Sequence, residues 1–567
     1  MRNKATILAL LFLTSHIFTL HGQNLENLGK EKPLKINGGI SFNQIFYDAI
    51  GVRSGRMPYT YYVAGNLNFT IYGWSVPFSY FYSNQQSSFQ QPFNQYGLHP
   101  TYKWITAHIG YASMTFSPYT LSGHQFLGVG VELAPGKIFK FSAMYGRLQK
   151  AVNYDTTNTN SQPAYKRIGY GVKAGMTLNR VSAEIMAFHS RDQLNSISNR
   201  FDTLQPVYPE ENLAIGANTS VSILQNLKLQ VEYGTSMITR DTRSDISSEN
   251  LFFNTHTSTE HYEAVKAGLK YSASFYSAGI NYERIDPGYR THGAYYFNSD
   301  LENIAGNITA ALFKKKLNLG ANVGVQRDDL NNKKMSSMLR VVNSFNVGYA
   351  AGAKLNISAT YSNFKSHTNV KSQFTSINQL TPYENLDTLN FTQISNNGSL
   401  NVNYTLSTTE KSRQYLSFNS TYQKASEYQE QVITNSGATF LNLNLAHNYS
   451  FTKTNTSFTT SINYSNSSAP NLKSYTVGPT LSVRKNFLKN KLRSSISASY
   501  NNSYSNGALI GSVTNLRISG GYTIKKKHSL NLNCGWINRK VKTTSDNDTI
   551  HKTFTEFTIT LGYSYNF

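Results

Sequence analysis

At the end of the chain, apolar and polar residues alternate without a break. Phe557, Ile559, Leu561, Tyr563, Tyr565 and Phe567 fall on one face of the segment, and Glu556, Thr558, Thr560, Gly562, Ser564 and Asn566 fall on the other. A period of two belongs to a β-strand with one greasy and one polar side. The same pattern recurs upstream. "KLNLGANVGV" sets Leu317, Leu319, Ala321, Val323 and Val325 on one face, and "FLNLNLAHNYSF", "TNLRISGGYTI" and "SLNLNCGWI" repeat it. The opposite faces carry Asn, Ser, Thr, Gly and Arg. Segments of ~10 alternating residues divided by turn residues are the pattern of strands that cross a membrane with lipid on one side and water on the other.

The connections alternate as well. "FKKKLN", "AAGAK", "TTEKSRQ", "TKTNTS", "RKNFLKNKLR" and "IKKKHS" are short, whereas connections between them, such as "KSHTNVKSQFTSINQLTPYENLDTL", are long and polar. Counted back from Phe567, every short turn falls on the same side down to Pro135-Gly136. Short periplasmic turns and long extracellular loops predict one large antiparallel transmembrane β-barrel of about 24 strands, between 22 and 26, over residues 34–567. A soluble sandwich or propeller would have turns of similar length at both ends.

Composition supports this class. Aromatic residues make up 13% of the 567-residue chain and charged residues only 15%, too aromatic for disorder and too poorly charged for an ordinary soluble surface. Arg2 and Lys4 ahead of "ATILALLFLTSHIF", with Gly22 before Gln23, read as a secretory signal peptide over residues 1–22, followed by a short periplasmic peptide at 23–33. Beyond it no stretch approaches the ~18 apolar residues of a spanning helix. The single Cys534 shares a face with Leu530, Leu532 and Trp536 and reads as a small hydrophobe.

The terminus "TLGYSYNF" resembles the carboxyl-terminal β-signal of bacterial outer-membrane proteins, with Thr560, Gly562, Tyr565 and Phe567 at its positions. That resemblance implies recognition by the barrel-assembly machinery and residence in the outer membrane. "GNLNFTIYGWSVPFSYFYSNQQSSFQQPFNQYGLHPTYKWITAHIGYASMTFSPYTLSGH" and "YERIDPGYRTHGAYYFNSDLENI" make the chain similar to a group of large outer-membrane barrels from Bacteroidota without assigned activity. It implies architecture and location, and leaves mechanism open.

A barrel this wide needs something in its lumen, because barrels of sixteen to eighteen strands already leave an aqueous channel. The candidate is the segment from Asn84 to Lys103, with two prolines, almost no charge, and Phe89, Phe93, Gln95, Tyr96 and His99 as the residues of a partial plug; a structured periplasmic loop is the rival reading. A companion is the loop with Asp286-Pro287-Gly288 and Tyr295-Tyr296-Phe297. Its Asp300 and Glu302 offer carboxylates to calcium, against the plainer reading of a solvated loop.

The net charge is +23. In an exported barrel it points to lipopolysaccharide phosphates, an acidic protein or an anionic solute rather than to nucleic acid. Lys525, Lys526 and Lys527, with Lys314 to Lys316 and the cluster Arg484, Lys485, Lys489 and Lys491, are candidates for docking a periplasmic partner; the plainer reading is solvated turns that resist aggregation. HExxH, GxSxG and phosphate-loop motifs are missing. His189-Ser190 and His447 with Ser450 pair a base with a hydroxyl in sequence, but adjacent strand residues point to opposite faces. No enzyme activity, catalytic residue, metal or cofactor is expected. Two readings stay open: a conduit for solute or polypeptide, and a non-conducting subunit of a secretion or barrel-assembly complex or a surface adhesin, using the loops near 190–212, 239–261 and 365–390.

Overall fold

The computed structural model describes residues 34–567 apart from 52–55, 85–93, 137, 154–162, 198–206, 251–252, 297, 334–338, 364–393, 426–427, 430–431, 434–437, 470–471 and 546–547. The signal-peptide and amino-terminal readings therefore lie outside the described residues, as do Phe89 and Phe93 and the loop near 365–390. Every neighbouring pair of wall strands is antiparallel and follows sequence order, from Leu34–Ile50 to Asp548–Asn566. Among the described residues 26 strands form the wall, one of them in two pieces, Gln95–Leu98 and Thr101–Tyr102. The number sits at the upper end of the expected range.

The last strand closes on the first. Register runs from Gly39↔Asn566 to Ile50↔Thr555, and the Phe567 amide donates to the Gly38 carbonyl at 2.9 Å. An open edge in hydrocarbon would leave a row of unpaired backbone groups, each costing several kcal/mol. The ordered terminus follows from this closure. Thr560 and Gly562 sit opposite Ile45 and Asn43, and Tyr565 opposite Ile40, so the resembling β-signal is also the closing seam.

The alternation appears in the structure with its usual sense inverted. Ile559 is 42% exposed beside Thr558 at 2%, and Leu516 is 37% exposed beside Asn515 at 4%. The exposed members are the apolar ones, as required of a wall whose outer face meets lipid chains. Cys534, half-buried, keeps its place among Leu530, Leu532 and Trp536.

All tight turns of the expected parity lie on one rim, and two more continue the series upstream of Pro135-Gly136, at Lys103-Trp104 and Tyr72-Gly73. The segment from Asn84 to Lys103 departs from expectation. Its connection is on the opposite, long-loop rim, and Gln95–Leu98 with Thr101–Tyr102 form a wall strand between Trp74–Ser83 and Ile105–Thr115. Gln95 and Tyr96 are thus wall residues, opposite Phe81 and Tyr80, and neither a plug nor a periplasmic loop. Pro100, which has no backbone N–H to donate, and the break at His99 disguised the strand in the sequence. Near the carboxyl terminus the outer connections are also shorter than expected, because strands of 14–19 residues carry the hairpins outward, as in the Asn506-Gly507 turn.

Gly38 marks the tightest point of the seam region. Its φ is +121°, and a Cβ there would stand 2.0 Å from the Asn66 carbonyl oxygen. Gly38→Val should cost at least ~2 kcal/mol through backbone strain and displaced pairing. We expect a smaller fraction of heat-modifiable, folded barrel on unboiled gels, with Gly520→Val, where a Cβ meets nothing within 4 Å, as the tolerated control.

Candidate functional site

The lumen wall is unevenly furnished. Strands between about residues 105 and 310 carry inward residues that are buried although they face the lumen: Phe126, Leu148 and Phe188 are fully sealed, and Met114, Met144 and Met186 nearly so. Two connections cover them. The first is the 116–121 link, "FSPYTL", between Ile105–Thr115 and Ser122–Leu133; the second is the loop that follows Tyr276–Ile285 and precedes Leu301–Leu312. The second is the companion loop singled out in the sequence. The first was not recognised.

The inserted residues find room because the wall beneath them is glycine. A Cβ on Gly234 would lie 2.4 Å from the Tyr119 Cβ, one on Gly171 would lie 2.8 Å from the Phe116 ring, and one on Gly216 would lie 3.1 Å from the Thr120 methyl. Gly293, on the second loop, would meet the Thr120 carbonyl at 2.3 Å. Replacing hydrogens by methyls here would push the loop back into the lumen, since packed interiors have no slack.

Hydrogen bonds pin both loops. The Tyr119 hydroxyl donates to Glu283 at 2.7 Å, and the Tyr289 hydroxyl donates to the Tyr119 carbonyl at 2.6 Å. Thr291 donates to the Thr120 carbonyl at 2.9 Å, and the Ser122 amide donates to the Gly293 carbonyl at 2.8 Å. From the wall, fully buried Asn212 accepts the His292 amide at 3.0 Å and donates to the Met237 carbonyl at 2.9 Å, and Ser236 donates to the Arg290 carbonyl at 2.7 Å. Each buried polar group that loses its partner costs ~1–3 kcal/mol, so the set resists piecemeal release.

Ionic contacts complete the anchor. Arg167 forms a bidentate pair with Asp192 at 2.8 Å and reaches Glu210 at 3.0 Å, and Arg290 pairs with Glu210 from the inserted loop. The His292 Nε2 lies 3.1 Å from Glu210 and its Nδ1 lies 2.8 Å from the Ser190 hydroxyl. Burial, reinforced by Arg167, lowers the His292 imidazole to about 3, so it is neutral at pH 7, accepting from Ser190 and donating to Glu210. Burial opposes ionisation of Glu210, but the His292 hydrogen bond and the charges of Arg290 and Arg167 hold its carboxyl well below the usual range. Burial and nearby carboxylates likewise raise the Tyr119 hydroxyl, which stays a donor.

Ser190, His292 and Glu210 have the connectivity of a nucleophile, base and orienting carboxylate. The serine is 0% exposed, however, and is roofed by the loop that supplies the histidine. The arrangement works as a pin. His189 contacts Glu211 at 2.8 Å and the Tyr170 ring, whereas Ser190 faces the other way. Of the candidate plug residues, His99 does approach inward groups, at 3.0 Å from His108, which contacts Glu132. Asp300 accepts the Leu330 amide and Glu302 pairs with Arg327 and Tyr282. Among the described residues, no group of three or more potential metal ligands forms, at Asp300 and Glu302 or elsewhere.

The wall from about residue 394 onward is different. Its inward residues form amide and hydroxyl ladders: Asn444 donates to Asn463 at 2.6 Å, Asn463 to Thr480 at 2.9 Å, and Ser465 to Asn442 at 2.6 Å. No described connection folds over them. Among the described residues the lumen thus has one sector furnished by inserted connections and one polar sector lined by amides and hydroxyls, with arginines such as Arg413, Arg484 and Arg517 among them.

Acid should loosen the furnished sector. Between pH 6.5 and about 3 a released His292 binds a proton that the docked one excludes, and below about pH 4.5 Glu210 begins to lose its advantage as well, so docking weakens as pH falls. A nitroxide at Tyr296→Cys in a Cys534→Ser background should gain a mobile spectral component on going from pH 7 to pH 4 and lose it on return; an unchanged spectrum would exclude this anchor chemistry.

No protein-family model matches the sequence, and no characterised protein matches it. Solved structures of similar shape include the FrpB iron transporter from Neisseria meningitidis, 11% identical over 96% of this chain and 83% of that one with a TM-score of 0.35. They also include the outer membrane transporter YddB from Escherichia coli (9% identical, 94% and 81%, TM-score 0.39) and OccAB2 from Acinetobacter baumannii (9% identical, 68% and 97%, TM-score 0.27). What this chain does has to be read from its own lumen.

Proposed function

We propose that the protein is an outer-membrane conduit for a polar, hydrated cargo, solute or polypeptide, whose wide lumen is narrowed from one side by the two pinned loops. The observation that carries this reading is the division of the lumen. The described wall strands from 394 onward present mainly Asn, Ser and Thr to the interior, groups that hold water without binding ions tightly, with a few arginines such as Arg484 and Arg517, while the opposite wall is built with glycine to receive an insert. The tight turns and the closing strand's Phe567 are assigned to the periplasmic side, following the general habit of such barrels, and the inserted loops to the outer half. Export by a cleaved signal peptide and reading of Thr560, Gly562, Tyr565 and Phe567 by the assembly machinery belong to the same proposal.

Gly234→Leu tests it, because its side chain claims the space of Tyr119. In planar bilayers the intact protein should conduct, and the variant, shown to be folded by heat-modifiability, should conduct at least about twofold better because the loop is displaced from a barrel wide enough to carry a channel. Silence of both proteins, or identical conductance, would overturn the reading.

A further inference from the structure

The short-turn rim is strongly lopsided in charge. Going round it in chain order, the first six turns read "YG", "KW", "APGKI", "NR", "QN" and "ASF", and the next six read "FKKK", "GAK", "TEK", "TKTN", "LKNK" and "KKK". Three basic residues stand in the first set; eleven lysines and one glutamate stand in the second. Successive hairpins are neighbours in the wall, so the second set is one continuous arc. With strands ~4.8 Å apart and one turn for every two strands, that arc spans ~50 Å.

Just inside the same arc lies a cleft of about 720 Å³, lined by Arg413, Tyr415, Asn455, Arg484 and Asn486 among others. Register places Arg413 beside Ser450 and Arg484 beside Ser457 and Ser495, with Arg493 opposite Asn486 on the next strand. All three arginines are exposed, and among the described residues none has a carboxylate partner. On the opposite wall, by contrast, Arg167 and Arg290 are committed to Asp192 and Glu210. A row of free guanidinium forks is suited to carboxylates, and charge-assisted contacts of this kind are among the stronger hydrogen bonds.

We infer that this arc and its cleft form a docking site for an acidic polypeptide segment of a periplasmic partner. Lipid headgroups encircle the whole barrel, so a lysine belt for lipid anchoring would be spread over all twelve turns; confinement to six points to an eccentrically placed protein. A single small anion would occupy the cleft and leave most of a ~50 Å arc unused. The site opens beneath the amide-lined sector, where a docked segment would meet cargo at the periplasmic mouth. This inference rests on the periplasmic placement of the short turns in the proposed function.

The test uses the full mature chain in phosphatidylcholine nanodiscs and fluorescein-labelled deca-glutamate as probe, read by anisotropy at low salt. Binding should be saturable, and Arg413→Gln, Arg484→Gln and Arg493→Gln combined should weaken it at least about tenfold, the loss expected from removing several charge-assisted contacts. Reversal of Lys525, Lys526 and Lys527 to Glu should weaken it too, while Lys103→Glu with Arg180→Glu on the other half should leave it within about twofold. Equal losses in both halves, no binding, or competition by inorganic phosphate beyond that of chloride at matched ionic strength would overturn the proposal. Binding in nanodiscs does not depend on conductance, so failure here and failure of the conduit reading are separable.

Discussion

The need to pair every backbone N–H and C=O in hydrocarbon governs this molecule. An unpaired group costs several kcal/mol where no water can reach it, so the sheet has to close, and closure forces the strand that ends at Asn566 against the one that begins at Leu34. Closure with 26 strands then creates a second problem. A wall of that circumference encloses more space than its own side chains fill, and the lumen has to be furnished by connections or left to water.

The furnishing uses ordinary packing chemistry in an unusual place. Glycines at inward positions, among them Gly171, Gly216 and Gly234, lower the wall so that Phe116 to Leu121 can lie against it. A second loop then locks the first, through Tyr289, Thr291 and Gly293 onto Tyr119, Thr120 and Ser122. The ionic cluster of Arg167, Asp192, Glu210, Arg290 and His292 ties that second loop to the outer end of the wall. What looks like catalytic machinery at Ser190 is thereby accounted for as part of the fastening. Across the lumen, Asn444, Asn463 and Thr480 satisfy one another along the wall and leave a surface compatible with water.

The wall was legible in the sequence because its rule is local. Alternation at Phe557 to Phe567 or Leu317 to Val325 reports lipid on one side and water on the other, and turn parity carries that reading from hairpin to hairpin. The contents of the lumen were far less legible, because they depend on contacts such as Tyr119 with Glu283 and Ser190 with His292, which are 164 and 102 residues apart. The companion loop at Asp286 could be suspected from its turn chemistry and clustered tyrosines. The "FSPYTL" link could not, since it is as short as a plain hairpin; a usable signal was the run of alternate glycines in "GYGVKAG" and "GVGV", which marks an inward face too small to fill space alone. The segment from Asn84 to Lys103 misled for the opposite reason: its prolines and amides imitate a loop, yet most of its carboxyl-terminal half completes the wall.

The two connections are part of the folded interior and do not wave freely over the mouth. Hydrogen–deuterium exchange of the mature protein in lipid nanodiscs at neutral pH tests this most directly. The amides of Phe116, Thr120, His292 and Gly293 should exchange as slowly as those of the flanking wall strands; exchange at the rate of an exposed loop would mean that the connections are not packed against the wall.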